Sequence, residues 1–168
     1  QKQEIIPRIV QGELILTLAL TELAARYDAA SVKLRATPAN GEYILNGTKL
    51  FVPYAHIADY MVCVARTGEG TNPEEGVSLF LVDGRNPGIN CLLLETVAAD
   101  KQCEVMLAEV AVPAKDMLGN LGQGWTLAKR TLQLAALAKC AEMIGGAQQV
   151  LEMTLDYAKQ RVQFDRPI

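Results

Sequence analysis

Hydrophobic and polar positions follow two rhythms along the chain. From 31 to 37 they alternate, Val32, Leu34 and Ala36 against Lys33, Arg35 and Thr37, the period of a strand with one wet face. In 42–66, EYILNGTKLFVPYAHIADYMVCVAR, two apolar runs meet at Asn46-Gly47, a pair that suits a two-residue hairpin turn, and a third run follows at 60–65. The third run is apolar at almost every position (Met61, Val62, Cys63, Val64, Ala65), which predicts cover on both faces. Further strand-like runs occupy 14–20, 77–82, 90–95 and 103–112, separated by the polar loop 68–76 and the turn Asn86-Pro87-Gly88. About seven strands without intervening helices predict an antiparallel barrel or sandwich.

After 119–124 the period changes. Leu137, Cys140, Ile144, Ala147, Leu151, Leu155 and Ala158 recur at three and four, the pattern of a helix with one buried stripe. A continuous helix over 123–160 would run about 57 Å at 1.5 Å per residue, longer than a small domain needs. Gly145-Gly146 is a candidate kink. At the other end, residues 1–11 read as a helix end with Ile5, Ile6, Ile9 and Val10 on one side, Pro7 keeping it short or kinked, and Gly12 as its stop. The predicted class is α+β: an antiparallel β-barrel or sandwich followed by a long helix. We expect a fragment, with 1–13 the tail of a helical domain, 14–118 a β domain, and 119–168 the start of a second helical domain.

Composition narrows the function classes. Half of the 168 residues are apolar, enough to bury a core. Sixteen basic and nineteen acidic residues give a net charge of -3 with no dense cationic run, which argues against nucleic acid as a partner. No apolar run approaches the ~18–20 uncharged residues of a membrane span. The segment QKQEIIPRIV has neither the apolar core nor the cleavage site of a signal peptide. Cys63, Cys91, Cys103 and Cys140 lack CxxC spacing and read as small buried thiols in a reducing, cytoplasmic setting. The single histidine, His56, excludes a histidine-rich metal site and reads as a loop residue.

Glu-Tyr-Ile-Leu-Asn-Gly-Thr-Lys at 42–49, the aromatic Phe51, and Ala58-Asp59 leading into an apolar strand resemble the middle β domain of the flavin-dependent acyl-CoA dehydrogenases. Residues 1–22 (QKQEIIPRIVQGELILTLALTE), 110–119 (VAVPAKDMLG) and 157–168 (YAKQRVQFDRPI) match that family in order, so the resemblance runs nearly end to end. It implies FAD as cofactor, an acyl-CoA thioester as substrate, and α,β-dehydrogenation as the reaction. It also implies an electron-accepting flavoprotein or other acceptor as a partner.

The family's flavin contacts map onto three patches. Its Thr-Glu-Pro-x-x-Gly-Ser-Asp motif corresponds to Thr21-Glu22-Leu23-Ala24-Ala25-Arg26-Tyr27-Asp28. The resemblance places the Thr21 hydroxyl and the strand backbone around Leu18 and Leu20 at the flavin pyrimidine edge, with Tyr27 at the motif's Ser position. Phe51-Val52-Pro53 occupies the Trp-Ile-Thr patch, where Phe51 keeps an aromatic wall but Pro53 brings neither a hydroxyl nor an N–H. Tyr54 is a substitute donor there. Arg161-Val162-Gln163-Phe164 matches Arg-x-[Gln/Thr]-Phe, with Asp165 in place of the following Gly, a residue that can still end a helix. By resemblance Arg161 and Gln163 reach the FAD pyrophosphate of a neighbouring subunit, Phe164 packs near it, and the protein is a homo-oligomer, dimer or tetramer. On the substrate side Ala136 replaces a CoA-binding Arg, and the family's carboxylate base lies beyond Ile168, so no catalytic residue is assigned. The competing interpretation is a non-catalytic binding or assembly member of the family with a degenerate flavin site, for which Leu23, Arg26, Tyr27, Pro53 and Ala136 are the expected signs.

Overall fold

The computed structural model describes residues 2–168, with side chains from residue 3 onward. Helix α1 (Lys2–Val10) carries Pro7 within it and ends where Gly12 takes φ +75°. The expected helix there also covers residue 1, which lies outside the described residues. Strands β1 (Leu16–Ala19), β2 (Arg35–Ala39), β3 (Glu42–Pro53), β4 (Tyr60–Arg66), β5 (Val77–Asp83), β6 (Ile89–Leu94), β7 (Gln102–Pro113) and β8 (Met117–Leu118) form one sheet ordered β6-β7-β3-β2-β4-β5-β8, with β1 also on β4. The long helix α2 (Gly124–Gln160) and a short β9 (Val162–Gln163) and β10 (Arg166–Pro167) hairpin follow. The chain divides into two compact units, one ending at Ala128 and one spanning Lys129–Ile168.

In the first unit the sheet is not closed, yet it folds over on itself. Tyr43 of β3 and Phe80 of β5 have ring centroids 5.0 Å apart although β2 and β4 separate their strands in the sheet. The core lies between these facing halves and takes side chains from β2, β3, β4, β5 and β7. As its composition predicts, β4 is covered on both faces; the expected burial alternation also appears, with Val32, Leu34 and Ala36 buried and Lys33, Arg35 and Thr37 exposed, but the strand expected over 31–37 begins only at Arg35, after a 3-10 turn at Ala29–Ser31.

Three expectations about turns and strand pairing are corrected. Asn46-Gly47 is not a hairpin turn: β3 runs through it without a break, and the turn is Asn40-Gly41, both at positive φ (48° and 85°). The Asn46 side chain instead bonds Glu109 across a bulge, donating through Nδ2 to Oε1 at 2.7 Å and accepting from the Glu109 N–H at 2.8 Å. Gly47 lets the segment leading into β2 approach, since a Cβ there would sit 3.0 Å from Leu34 Cα at a φ of +147°. Second, the sheet is mixed: β1 pairs parallel with β4, as does Arg35 of β2 with Arg66. Third, Asp165 does not end the helix; with Phe164 it forms the positive-φ turn of the β9–β10 hairpin.

Cys63 and Cys103 are buried as expected, Cys91 is half-buried, and Cys140 on α2 is exposed, contrary to a uniformly buried set. Beyond Ala128 most apolar side chains of α2 stay exposed within this chain, Leu137 at 70% and Ile144 at 72%, with Leu132 and Ala158 half-buried. Met143, Val150, Met153 and Tyr157 form a second arc beside the expected stripe, so the apolar surface is wider than one seam. No helix of the described residues is long and apolar enough to cross a membrane.

Gly47→Ala is expected to lower the unfolding free energy of the complete gene product by about 1–3 kcal/mol, because the added methyl meets the Leu34 backbone just before β2 at an unfavourable φ. Chemical denaturation checks this, and an unchanged midpoint would contradict the close approach of Leu34 to Gly47.

Candidate functional site

Two neighbouring stretches, the end of β1 and the second bulge of β3, make one rim of the sheet. The Leu50 N–H donates to the Thr21 carbonyl at 2.8 Å, and the Thr17 hydroxyl donates to the Pro53 carbonyl at 2.7 Å. At this bulge the register passes from Lys49↔Val105 to Val52↔Cys103, so Leu50 and Phe51 stand opposite Glu104 alone. Phe51 takes φ +55°, a costly backbone for an aromatic residue, and its ring is half exposed. Tyr54 is also left-handed (φ +53°), and its N–H is committed to the Lys101 carbonyl at 2.8 Å.

The loop after β1 is held from inside. Lys49 has no exposed surface and places Nζ 2.7 Å from Glu22 Oε1 and 3.1 Å from the Leu20 carbonyl. Glu22 also accepts from the Lys33 N–H at 2.8 Å and from the Leu34 N–H at 3.1 and 3.2 Å. Asp28 closes the far end of the loop, its Oδ1 accepting from the Ser31 N–H at 2.9 Å. Of the three motif residues kept in 21–28, Glu22 and Asp28 are therefore used in folding the loop. Thr21 is left with a hydroxyl that takes no hydrogen bond among the described residues. Removing one partner of the Lys49–Glu22 pair would strand a buried charge at a cost of about 3–5 kcal/mol.

The structure brings Leu18, Leu20, Thr21, Phe51, Val52 and Pro53 into this one neighbourhood. Leu18 is half-buried, whereas Leu20 and Val52 point into the protein and offer only backbone to a ligand. Pro53 offers nothing to donate, and its carbonyl is already taken by Thr17. Tyr27 is exposed on the loop. Glu22, Leu23, Thr48 and Leu50 help line an open cleft of about 620 Å³ beside the rim. In the second unit Arg161 and Gln163 meet: with the Gln163 amide turned to satisfy its neighbours, its oxygen accepts from Arg161 Nε at 3.2 Å and Nη2 at 2.7 Å. Phe164 is almost fully exposed at the hairpin tip.

Several working residues escaped the sequence analysis. Lys49 is the chief one; its signal was a lysine four residues after the buried Leu45 on β3, and so on the same core-facing side by simple alternation. Arg66 gathers the Ala29, Val32, Pro73 and Glu75 carbonyls at 2.6–3.2 Å, tying the loop after β4 to the entry of β2. Asp59 accepts from the Ile15 N–H at 3.0 Å and from Arg85 at 2.8 Å, and these bonds hold its carboxyl below its ordinary pKa. His56 lies in the connection between β3 and β4 as expected, in a 3-10 turn at Ala55–Ile57, with Nδ1 3.5 Å from Cys103 Sγ. No group of three or more metal-ligating side chains exists among the described residues.

The family description "Acyl-CoA dehydrogenase, middle domain" matches residues 17–110, and "Acyl-CoA dehydrogenase, C-terminal domain" matches 122–168. The chain belongs to the acyl-CoA dehydrogenase family. It is 34% identical to an acyl-CoA dehydrogenase of Bacillus subtilis (strain 168), over 100% of this chain and 45% of that protein. It is 35% identical to a 3-(aryl)acrylate reductase of Clostridium sporogenes, with the same coverage. The structure of an acyl-CoA dehydrogenase from Geobacillus kaustophilus superposes with a TM-score of 0.93 at 32% identity, covering 99% of this chain and 45% of that one. The chain thus spans about 45% of the length of the curated relatives it matches.

The ion pair at this rim of the acyl-CoA dehydrogenase fold has an electrostatic neighbour in Cys63. Burial pushes the Cys63 thiol from 9.0 up to about 11, against the pull of the Lys49 charge and with a further push from Glu22. Between those values the unfolded chain has lost a proton that the folded protein still holds, so stability falls as pH rises through that window. The loss attributable to Cys63 is about 2–3 kcal/mol. Alkaline denaturation of the complete gene product should show this extra slope and Cys63→Ala should lack it; identical curves would contradict a thiol held neutral beside Lys49.

Proposed function

We propose that the protein carrying this chain is an FAD-dependent acyl-CoA dehydrogenase, which in its complete form converts an acyl-CoA thioester to the α,β-enoyl thioester. The observation that carries this reading is the joining of Thr21 to the Phe51 bulge on one rim, through the 2.8 Å bond from the Leu50 N–H to the Thr21 carbonyl. The residues present fit a flavin: a hydroxyl without an internal partner stands beside a half-exposed aromatic ring that the backbone holds in an unfavourable conformation. When bound, FAD supplies the acceptor for the hydride that leaves the β carbon.

The residues of the rim and of the hairpin then have defined tasks. Thr21 donates or accepts at the polar edge of the ring, with the backbone at Leu18 and Leu20 beside it. Phe51 covers a ring face, Val52 anchors Phe51 to the core, Pro53 shapes the wall, and Tyr27 stands at the lip. Arg161, oriented by Gln163, offers a guanidinium fork to paired phosphate oxygens, and Phe164 packs nearby. Arg161 serves a sister subunit, which makes the protein a homo-oligomer, dimer or tetramer. The base that removes the α proton comes from sequence outside 1–168. In the complete protein residues 1–13 close one helical domain, 14–118 form the β domain, and 119–168 open the C-terminal helical domain. A flavoprotein or other acceptor reoxidises it, and the free thiols fit a reducing, cytoplasmic setting.

One observation favours a second reading, a non-catalytic family member: Pro53 lacks an N–H, and its carbonyl is spent on the Thr17 hydroxyl. The complete gene product separates the two. A catalytic protein purifies with flavin absorbance that acyl-CoA esters bleach, and Thr21→Val weakens FAD binding by up to about tenfold through loss of one hydrogen bond. Offering enoyl thioesters to the reduced protein tests the opposite direction. Colourless protein that cannot be reconstituted with FAD would establish the second reading instead.

A further inference from the structure

Among the described residues the buried charged side chains are Glu22 and Lys49, and neither is given a task by the reading above. We infer that they form a positioning pair that sets the separation between Thr21 and the Phe51 bulge, and through it the affinity of the rim for a flavin ring. The inference rests on the FAD reading and adds to it residues that face away from the ligand.

Lys49 grips the chain on both sides of Thr21, with Nζ 3.1 Å from the Leu20 carbonyl and 2.7 Å from Glu22 Oε1. The next residue, Leu50, holds Thr21 itself through its N–H at 2.8 Å. Lys49 is also the last β3 residue in register with β7 before the bulge that turns Phe51 outward. One side chain therefore references both ligand patches, and a shift of its ammonium moves them relative to each other. Glu22 completes the frame, because the Lys33 and Leu34 N–H groups bind it to the segment entering β2 and leave it no freedom to follow Lys49 elsewhere. Packing strength alone does not account for the pair, since an apolar pair of similar volume would stabilise the fold as well or better. What the ions add is a fixed distance, enforced by hydrogen bonds with directional geometry.

The test compares four variants of the complete gene product: Glu22→Gln, Lys49→Met, the double variant carrying both, and Leu45→Ala as a control in the buried part of β3 away from the rim. Three quantities are read: the melting temperature of the apoprotein, the Kd for FAD by fluorescence titration, and the visible circular dichroism of bound flavin. Each single variant should raise Kd by about tenfold or more beyond Leu45→Ala at a comparable melting temperature. The double variant buries no lone charge, so it should regain melting temperature yet keep the raised Kd and an altered dichroism. If the single variants fail to fold, the double variant decides. A double variant matching wild type in Kd and dichroism would overturn the inference, as would single variants whose Kd merely follows melting temperature as in Leu45→Ala. Wild-type protein that takes up no FAD would refute the flavin reading and this inference with it, whereas a wild type that binds and variants that bind equally well refute the inference alone.

Discussion

A lysine ammonium with no exposed surface is tolerable only where an anion and further acceptors replace water, since the desolvation penalty is several kcal/mol for each ion. Lys49 meets that condition with the Glu22 carboxylate and the Leu20 carbonyl, and Glu22 meets it in turn with two backbone N–H groups. The requirement fixes more than two side chains. It draws the loop after β1 down onto β3, so that Thr21 arrives beside Leu50 and the residues flanking it cannot drift. It also couples to the core, because the same charges act on the Cys63 thiol of β4.

Bulges do the rest of the geometric work. A regular β3 would alternate strictly and leave Lys49 and Phe51 on the same face, both inward or both outward. The first irregularity, where Asn46 bridges Glu109, lies next to Gly47, whose missing side chain leaves room for Leu34 at the entry of β2. The second, after Lys49, adds one residue and resets the phase, so Lys49 and Val52 are buried while Phe51 is turned out. The cost is an aromatic residue at positive φ, a strain that the surrounding hydrogen bonds hold in place. Buried charge, strand irregularity and outward aromatic are therefore one construction.

Much of the fold was legible because local pattern and burial agree. The alternation of 31–37, the doubly apolar β4 and the three-and-four spacing of α2 all report a face that is buried or must be covered. What local pattern could not carry was partner choice. Asn46-Gly47 satisfies the chemistry of a hairpin turn, but so does Asn40-Gly41 a few residues earlier, and which pair turns depends on the strand β3 meets on its other edge. The parallel contact of β1 with β4 joins segments far apart in sequence. At the rim, the resemblance singled out Thr21 and Phe51, whereas Lys49 was passed over because a lysine in a strand reads by default as a solvated residue. Asp165, in place of the family's Gly, reads as a residue that can still end a helix; the hairpin that seats it depends on backbone turns at Phe164 and Asp165 that composition alone does not announce.

Through these constraints a sheet rim carries a hydroxyl and an aromatic ring at a set separation, while the second unit ends in a compact hairpin that presents a guanidinium held by an amide. A structure of the complete gene product with FAD bound tests this construction. It should show the Thr21 hydroxyl within hydrogen-bonding distance of the flavin pyrimidine edge, the Phe51 ring against the isoalloxazine, and the Lys49–Glu22 contact intact behind them. A flavin bound elsewhere, or bound at this rim with Lys49 and Glu22 parted, would contradict it.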